Sequence, residues 1–223
     1  MVASLNHQDQ EQIDHIKQLW ASYGGWVSGV LLAIALAFAG YQGWRWWLSE
    51  QSIQAANLYA EFSRAEKSLN ASQMILAYND LRLRYPKTIF LQQAALAMAS
   101  TQQTKGQSQS AITILTWLAQ SDSEAEYRSI AALRLAGILM TDKRYEEAIV
   151  RLQESRGNGF DALIDDRLGD IYMLQKKSSD ASAAYQSAWK GLEDNIAYRR
   201  LIEAKLMTLG VDPHESSKLV GKL

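Results

Sequence analysis

Cysteine is absent from the 223 residues, which excludes disulfides, thiolate metal sites and lipidated cysteine. The absence suits an oxidising or a reducing compartment equally, so it does not fix location. Only two prolines occur, Pro86 and Pro213, and so few interruptions leave the chain free to be helical. An excess of one charge is lacking too: 23 basic and 24 acidic residues give a net charge of -1. With no cationic surplus to neutralise phosphates, no nucleic-acid partner is expected. The three histidines, His7, His15 and His214, lie at opposite ends, and without cysteine they do not predict a metal site. The glycine turn Arg156-Gly157-Asn158-Gly159 lacks the Lys-Ser/Thr of a phosphate loop. Asp161, Asp165, Asp166 and Asp170 form the one dense carboxylate group. Asp166 and Asp170 share a helix face, yet Arg167 and the loop position of Asp161 point to capping and solvation rather than a catalytic pair. Asn70-Ala71-Ser72 matches a glycosylation triplet that matters only in a secreted eukaryotic setting. No nucleophile-base arrangement is visible. The expectation is a binding protein, not an enzyme, with no cofactor and no small-molecule substrate.

A local absence is the most informative. From Gln18 to Trp44 there is no Asp, Glu, Lys or Arg, and the heart of the stretch, Trp26 to Phe38, is apolar. A bilayer core needs about 20 mostly apolar helical residues, which Gly24 to Trp44 supplies. Ala37-Phe38-Ala39 has the small-x-small form of a signal cleavage site. A signal, however, begins basic, and here Asp9, Glu11 and Asp14 stand against Lys17 alone. An uncleaved membrane anchor over 24–48 is therefore predicted, in contact with membrane lipid. Its small residues Gly25, Gly29, Ala33 and Ala37 recur every four positions, a stripe where a second membrane helix can approach closely. Such stripes also arise by chance, because Gly and Ala are common in membrane helices. Trp44, Trp46 and Trp47 predict an interfacial aromatic belt. Lys17 before the span and Arg45 after it nearly balance, so charge does not orient the chain. Residues 1–8 read as irregular. Ile13, Ile16, Trp20 and Tyr23 then fall at helical spacing. They predict either a short amphipathic helix that turns at Gly24-Gly25 or an extension of the membrane helix.

Beyond Ser49 the chain reads as helices of roughly 13–18 residues divided by cap and turn residues, the pattern of helical hairpins. The breaks are placed at 68–72, 85–87, 105–107, 120–123, 142–143, 156–159, 176–179 and 191–195. An internal repeat is present. Arg134-Leu135, Ile138, Lys143 and Ala148 match Arg167-Leu168, Ile171, Lys176 and Ala181 at an offset of 33 residues. Ala94, Ala95, Leu96, Ala111, Ile112 and Leu115 match Ala131, Ala132, Leu133, Ala148, Ile149 and Leu152. Tetratricopeptide units are about 34 residues, two antiparallel helices each. The predicted repeat core is Leu135, Ala148, Leu152, Leu168, Gly169, Tyr172, Ala181, Tyr185 and Ala188. Gly169 and Ala181 belong where two helices cross closely, while Leu168, Tyr172 and Tyr185 fill the space between hairpins. Residues 51–86 predict a further hairpin with little consensus, and a helix from about Ile196 to Leu209 caps the stack. The predicted fold is all-α: a tail over 1–23, a single transmembrane helix over 24–48, a tetratricopeptide-like stack of hairpins over 49–210 and a tail over 211–223.

Glu11-Gln12-Ile13, Ile16-Lys17-Gln18-Leu19-Trp20 and Tyr23-Gly24, with the exit Gly43-Trp44-Arg45-Trp46-Trp47, resemble the N-terminal signature of the ancillary SecYEG translocon subunit family. Ala132-Leu133-Arg134-Leu135-Ala136, Arg167-Leu168-Gly169-Asp170-Ile171 and Asp180-Ala181 with Ala184-Tyr185 and Ala188 resemble its repeat core. The resemblance implies a single-pass protein of the bacterial inner membrane, with a cytoplasmic N-terminus and a periplasmic repeat domain. It implies the SecYEG translocon as partner, together with a membrane-anchored periplasmic chaperone carrying a prolyl-isomerase-like domain. It implies no catalytic residues. The alternatives are a membrane-tethered scaffold for another inner-membrane complex and a regulatory tether for a signalling protein.

Overall fold

The computed structural model describes residues 7–193 and 197–214, with side chains at Ala21 and from Gly25 onward. The elements are α1 (His7–Lys67), α2 (Ala71–Arg84), α3 (Ile89–Thr104), α4 (Ser108–Gln120), α5 (Ala125–Thr141), α6 (Tyr145–Glu154), α7 (Asp161–Leu174), α8 (Ser178–Gly191) and α9 (Ala197–Thr208). Among the described residues there is no strand. The chain divides into two compact units, Met1–Gln54 and Ala55–Leu223.

In the first unit, α1 is helical through Gly24 and Gly25, so the expected turn there is absent. Each glycine costs a helix interior about 1 kcal/mol relative to alanine. Opening the backbone in an apolar setting costs several kcal/mol per unsatisfied group, so continuing the helix wins. Of the two readings of residues before the span, the backbone follows the extension. The side chains that would define an amphipathic face, Ile13, Ile16, Trp20 and Tyr23, lie outside the described residues. The same helix carries a window long and apolar enough to cross a membrane, and none of that window is buried.

In the second unit, a repeated turn reveals the period. Leu69, Gly106, Lys143, Lys176 and Gly210 all adopt positive φ, between 55° and 75°. Each follows a helix whose final carbonyls take the same pair of bonds. The N–H of Asn70 reaches the Ala65 carbonyl at 2.9 Å, Gln107 reaches Gln102 at 2.8 Å, and Arg144 reaches Leu139 at 2.8 Å. Lys177 reaches Tyr172 at 2.9 Å and Val211 reaches Leu206 at 3.1 Å. These are Schellman closures, in which a left-handed residue satisfies carbonyls that the helix leaves orphaned. They mark the ends of α1, α3, α5, α7 and α9 as equivalent. The last turns of α1 and helix α2 thus form the first hairpin. The next are α3–α4, α5–α6 and α7–α8, and α9 repeats the leading helix once more. Asn70 caps α2 by accepting the Gln73 N–H at 3.2 Å. Lys143 and Lys176 hold a conformation that penalises a Cβ by about 1–2 kcal/mol. Lys176→Gly is expected to raise the unfolding free energy by roughly 0.5–1 kcal/mol, part of the relief being lost to unfolded-chain entropy. Urea unfolding of the two chains checks it.

Packing follows the repeat. One continuous core runs from Ala55 and Phe62 through Leu81, Leu91, Leu115, Leu135 and Leu152 to Ile171. A smaller core joins Ala181, Tyr185 and Ala188 of α8 to Ile202 and Leu206 of α9, and Tyr172 packs against both. The contact of α7 with α8 is the most extensive between helices. Gly169 permits it: a Cβ there would lie 2.9 Å from Cζ of Tyr185 and closer still to Cε1 and Cδ1.

Candidate functional site

The predicted site residues separate into three places. On α1, Gly25, Gly29, Ala33 and Ala37 are all exposed, and with Trp26 and Val30 the first three line a notch of about 330 Å³. A Cβ at Gly25 or Gly29 would meet nothing within 4 Å, so no internal contact requires glycine there. Gly40 and Gly43 are equally open, and at 3.6 residues per turn they return to the same face, an extension missed in the sequence. Trp44, Trp46 and Trp47 are exposed, with the Trp44 and Trp47 rings 5.4 Å apart and Arg45 over Tyr41 at 5.9 Å. Trp26, 81% exposed, stands at the other end of the apolar stretch. It lies roughly 27–32 Å from Trp44 and Trp47 at 1.5 Å per residue, about one hydrocarbon thickness. That separation was the signal for a second aromatic position, and the sequence reading passed over it.

The repeat-core residues are interior. Leu135, Ala148, Leu152, Ala181 and Ala188 are fully buried, Leu168 and Tyr185 nearly so, Gly169 is buried under the Tyr185 ring, and Tyr172 is half-buried. They hold the hairpins together and present nothing to a partner.

The carboxylate cluster departs from expectation. Asp165 and Asp166 are buried rather than solvated. Asp161 begins α7 and accepts the Gly157 N–H at 3.0 Å, which closes the glycine turn. Asp165 pairs with Arg156 and accepts the Ser187 hydroxyl at 2.6 Å. Asp166 accepts from the Tyr198 hydroxyl at 2.6 Å and from Lys205 Nζ at 2.7 Å. Asp170 accepts from the Tyr185 hydroxyl at 2.8 Å and from Lys205 Nζ at 2.7 Å. The group is a clasp that holds α8 and α9 onto α7. Burial, then the hydrogen bond to Asp170, pushes the Tyr185 phenol well above its ordinary range. Burial, then the bond to Asp166, does the same to Tyr198, with Arg167 pulling the other way. Both phenols therefore remain neutral donors at any physiological pH.

Beside the clasp runs a trough of about 770 Å³, with walls from Leu133 of α5, Phe160 and Leu163 at the start of α7, Leu192 after α8, and Tyr198 of α9. Arg167 also lines it, and its Nε is buried with no hydrogen-bond partner among the described residues. None of the lining residues is fully buried, and the trough is open to solvent rather than an enclosed cavity. No sequence signal points to it, because its lining comes from separate repeats and no single position looks unusual.

Comparison with known proteins agrees with this architecture. A family model described as a tetratricopeptide repeat-like domain matches residues 17–211. The ancillary SecYEG translocon subunit of Neisseria gonorrhoeae is 27% identical over 203 residues, covering 91% of this chain and 97% of that protein. The protein of the same name from Haemophilus influenzae is 23% identical, covering 87% and 96%. That from Escherichia coli is 20% identical, covering 93% and 99%.

Proposed function

The chain belongs to the tetratricopeptide repeat-like domain family, and from that premise we propose that it is an accessory subunit of the SecYEG translocon, acting by binding rather than by a reaction. One observation carries this reading. An unburied apolar helix and a stack of hairpins occur in one chain, in the same span that is shared with three relatives named for that role. In this reading α1 lies in the bacterial inner membrane. The small-residue face at Gly25, Gly29, Ala33 and Ala37 meets a channel helix, and Trp44, Trp46 and Trp47 lie in the lipid interface. The N-terminus is cytoplasmic and the repeat unit periplasmic. There the repeats receive emerging polypeptide and pass it toward chaperones, the membrane-anchored one with a prolyl-isomerase-like domain among them. Stacked hairpins suit such work, since they build an extended surface from elements that need no catalytic machinery.

Purification in mild detergent tests the reading: the channel subunits are expected to accompany the tagged chain. Gly29→Leu combined with Ala33→Leu fills the small-residue face and removes close helix approach, so channel recovery is expected to fall. Thermal unfolding of the repeat unit should be unchanged in that variant. Protease added to spheroplasts is expected to digest the repeat unit. Protection from protease would overturn the periplasmic placement, and a chain purified without the channel would overturn the accessory role.

A further inference from the structure

We propose that the trough between α5, α7 and α9 takes an extended polypeptide segment in which an apolar side chain stands next to a carboxylate. The apolar group packs on Phe160 and Leu163, and the carboxylate pairs with Arg167. This rests on the translocon reading, because it names what the repeat unit would receive.

Arg167 is a cation without a paired anion among the described residues. Arg167 makes no hydrogen bond or ion pair among the described residues, and its Nε is withdrawn from water. The acids of its own helix are engaged elsewhere: Asp161 by the Gly157 N–H, Asp165 by Arg156 and Ser187, Asp166 by Tyr198 and Lys205, and Asp170 by Tyr185 and Lys205. The guanidinium charge has no acid paired with it, and an incoming carboxylate can take bonds from its Nη atoms, which unlike Nε are open to solvent. The walls decide the rest of the ligand. Leu133, Phe160, Leu163 and Leu192 are apolar and half-exposed, so an apolar group beside the carboxylate gains by leaving water. The trough, at about 770 Å³, is larger than one side chain and is not an enclosed cavity, so it can take a stretch of several residues. That suits a chain rather than a small molecule. The site also spans α5, α7 and α9, three successive leading helices, so it exists only when the stack is formed.

The full chain in detergent is titrated into a fluorescein-labelled peptide of alternating Phe and Asp, and into its Asn counterpart, with anisotropy as the readout. The Asp peptide is expected to bind at least about tenfold more tightly, the ratio that one charge-assisted bond supplies. Arg167→Gln is expected to abolish that preference while leaving Asn-peptide binding and the melting temperature unchanged, since the guanidinium has no partner to lose. Leu163→Asp places a carboxylate beside Arg167 within the chain, and both peptides are then expected to be lost. Equal binding of the two peptides, an Arg167→Gln chain that retains the preference, or binding of oleate without the peptide would each overturn the proposal. Channel co-purification separates the two readings. A chain that binds the peptide but not the channel removes the translocon role and keeps the trough. A chain that retains the channel and shows no peptide preference removes the trough alone.

Discussion

Gly169→Ala is expected to lower the unfolding free energy by roughly 2–3 kcal/mol, the upper part of the range for overpacking a filled interior. The new methyl would lie within 3 Å of three atoms of the Tyr185 ring. The ring has little room to yield. Tyr185 is 3% exposed, its hydroxyl donates to Asp170 at 2.8 Å, and Lys205 Nζ lies 5.1 Å from its centroid. A shift of the ring therefore disturbs the clasp on α9 as well as the α7–α8 contact. Gly137 is the internal control. It too lies within a helix, but a Cβ there meets nothing within 4 Å. Gly137→Ala is expected to stabilise by up to about 1 kcal/mol through helix propensity alone. Tyr185→Leu should recover much of the cost of Gly169→Ala, because it removes the ring that clashes. Denaturant unfolding of the four chains completes the cycle, and equal costs for Gly169→Ala with and without the ring would refute the steric account.

The helix boundaries were legible because they depend on local chemistry. Pro86, Gly106 and the Gly157–Gly159 turn act on their immediate neighbours, and the breaks placed at them coincide with the ends of α2, α3 and α6. Lys143 and Lys176 were matched as repeat positions by sequence offset, and both take the left-handed turn. Leu69 takes the same turn inside the break placed at 68–72, where Ser68 and Asn70 rather than a glycine mark it. The Gly24-Gly25 pair left a turn and a continued helix both open, and the helix continues. Adjacent glycines read as a turn in water, but in an apolar helix the need to satisfy backbone groups outweighs their propensity.

The buried clasp was only half legible. The spacing of Asp166 and Asp170 on one helix face is a local fact, and it was read. Their partners, Tyr198 and Lys205, belong to the next unit. Nothing within a single helix turn shows that two carboxylates will meet a lysine more than thirty residues away, so solvation was the natural expectation. The trough was illegible for the same reason. Leu133, Phe160, Leu163 and Leu192 are unremarkable one at a time, and only the superposition of repeats brings them to one place. The repeat consensus describes what holds hairpins together. The faces that remain after packing depend on which positions the consensus leaves free.

The second large effect is expected at Lys205, and it follows from α9 being the last leading helix described. In a stack whose units contact only their neighbours, the terminal helix has the fewest contacts and opens first. Here α9 is held by the buried side chains of Ile202 and Leu206, by Tyr198 packed beside them, by the Arg199 guanidinium 3.8 Å from the Trp189 ring centroid, and by the ionic clasp. Lys205→Met removes the cation that two carboxylates share, and Asp166, whose side chain is 2% exposed, keeps only the Tyr198 hydroxyl as donor. Removing one partner of a buried pair costs about 3–5 kcal/mol. Lys205 and Asp170 are each about a quarter exposed, so water recovers part of that and about 2–3 kcal/mol is expected. The loss should be local. Hydrogen exchange of the α9 amides is expected to accelerate roughly 30- to 150-fold, with α3 and α4 unaffected. Trypsin should cut at Arg199 and Arg200 before it enters the remainder of the stack. Adding Asp166→Asn to Lys205→Met removes the stranded charge and should restore part of the protection. A double variant as open as Lys205→Met alone would mean that the stranded Asp166 charge is not what opens α9, and a Lys205→Met chain that exchanges at the parent rate would mean that the clasp adds nothing.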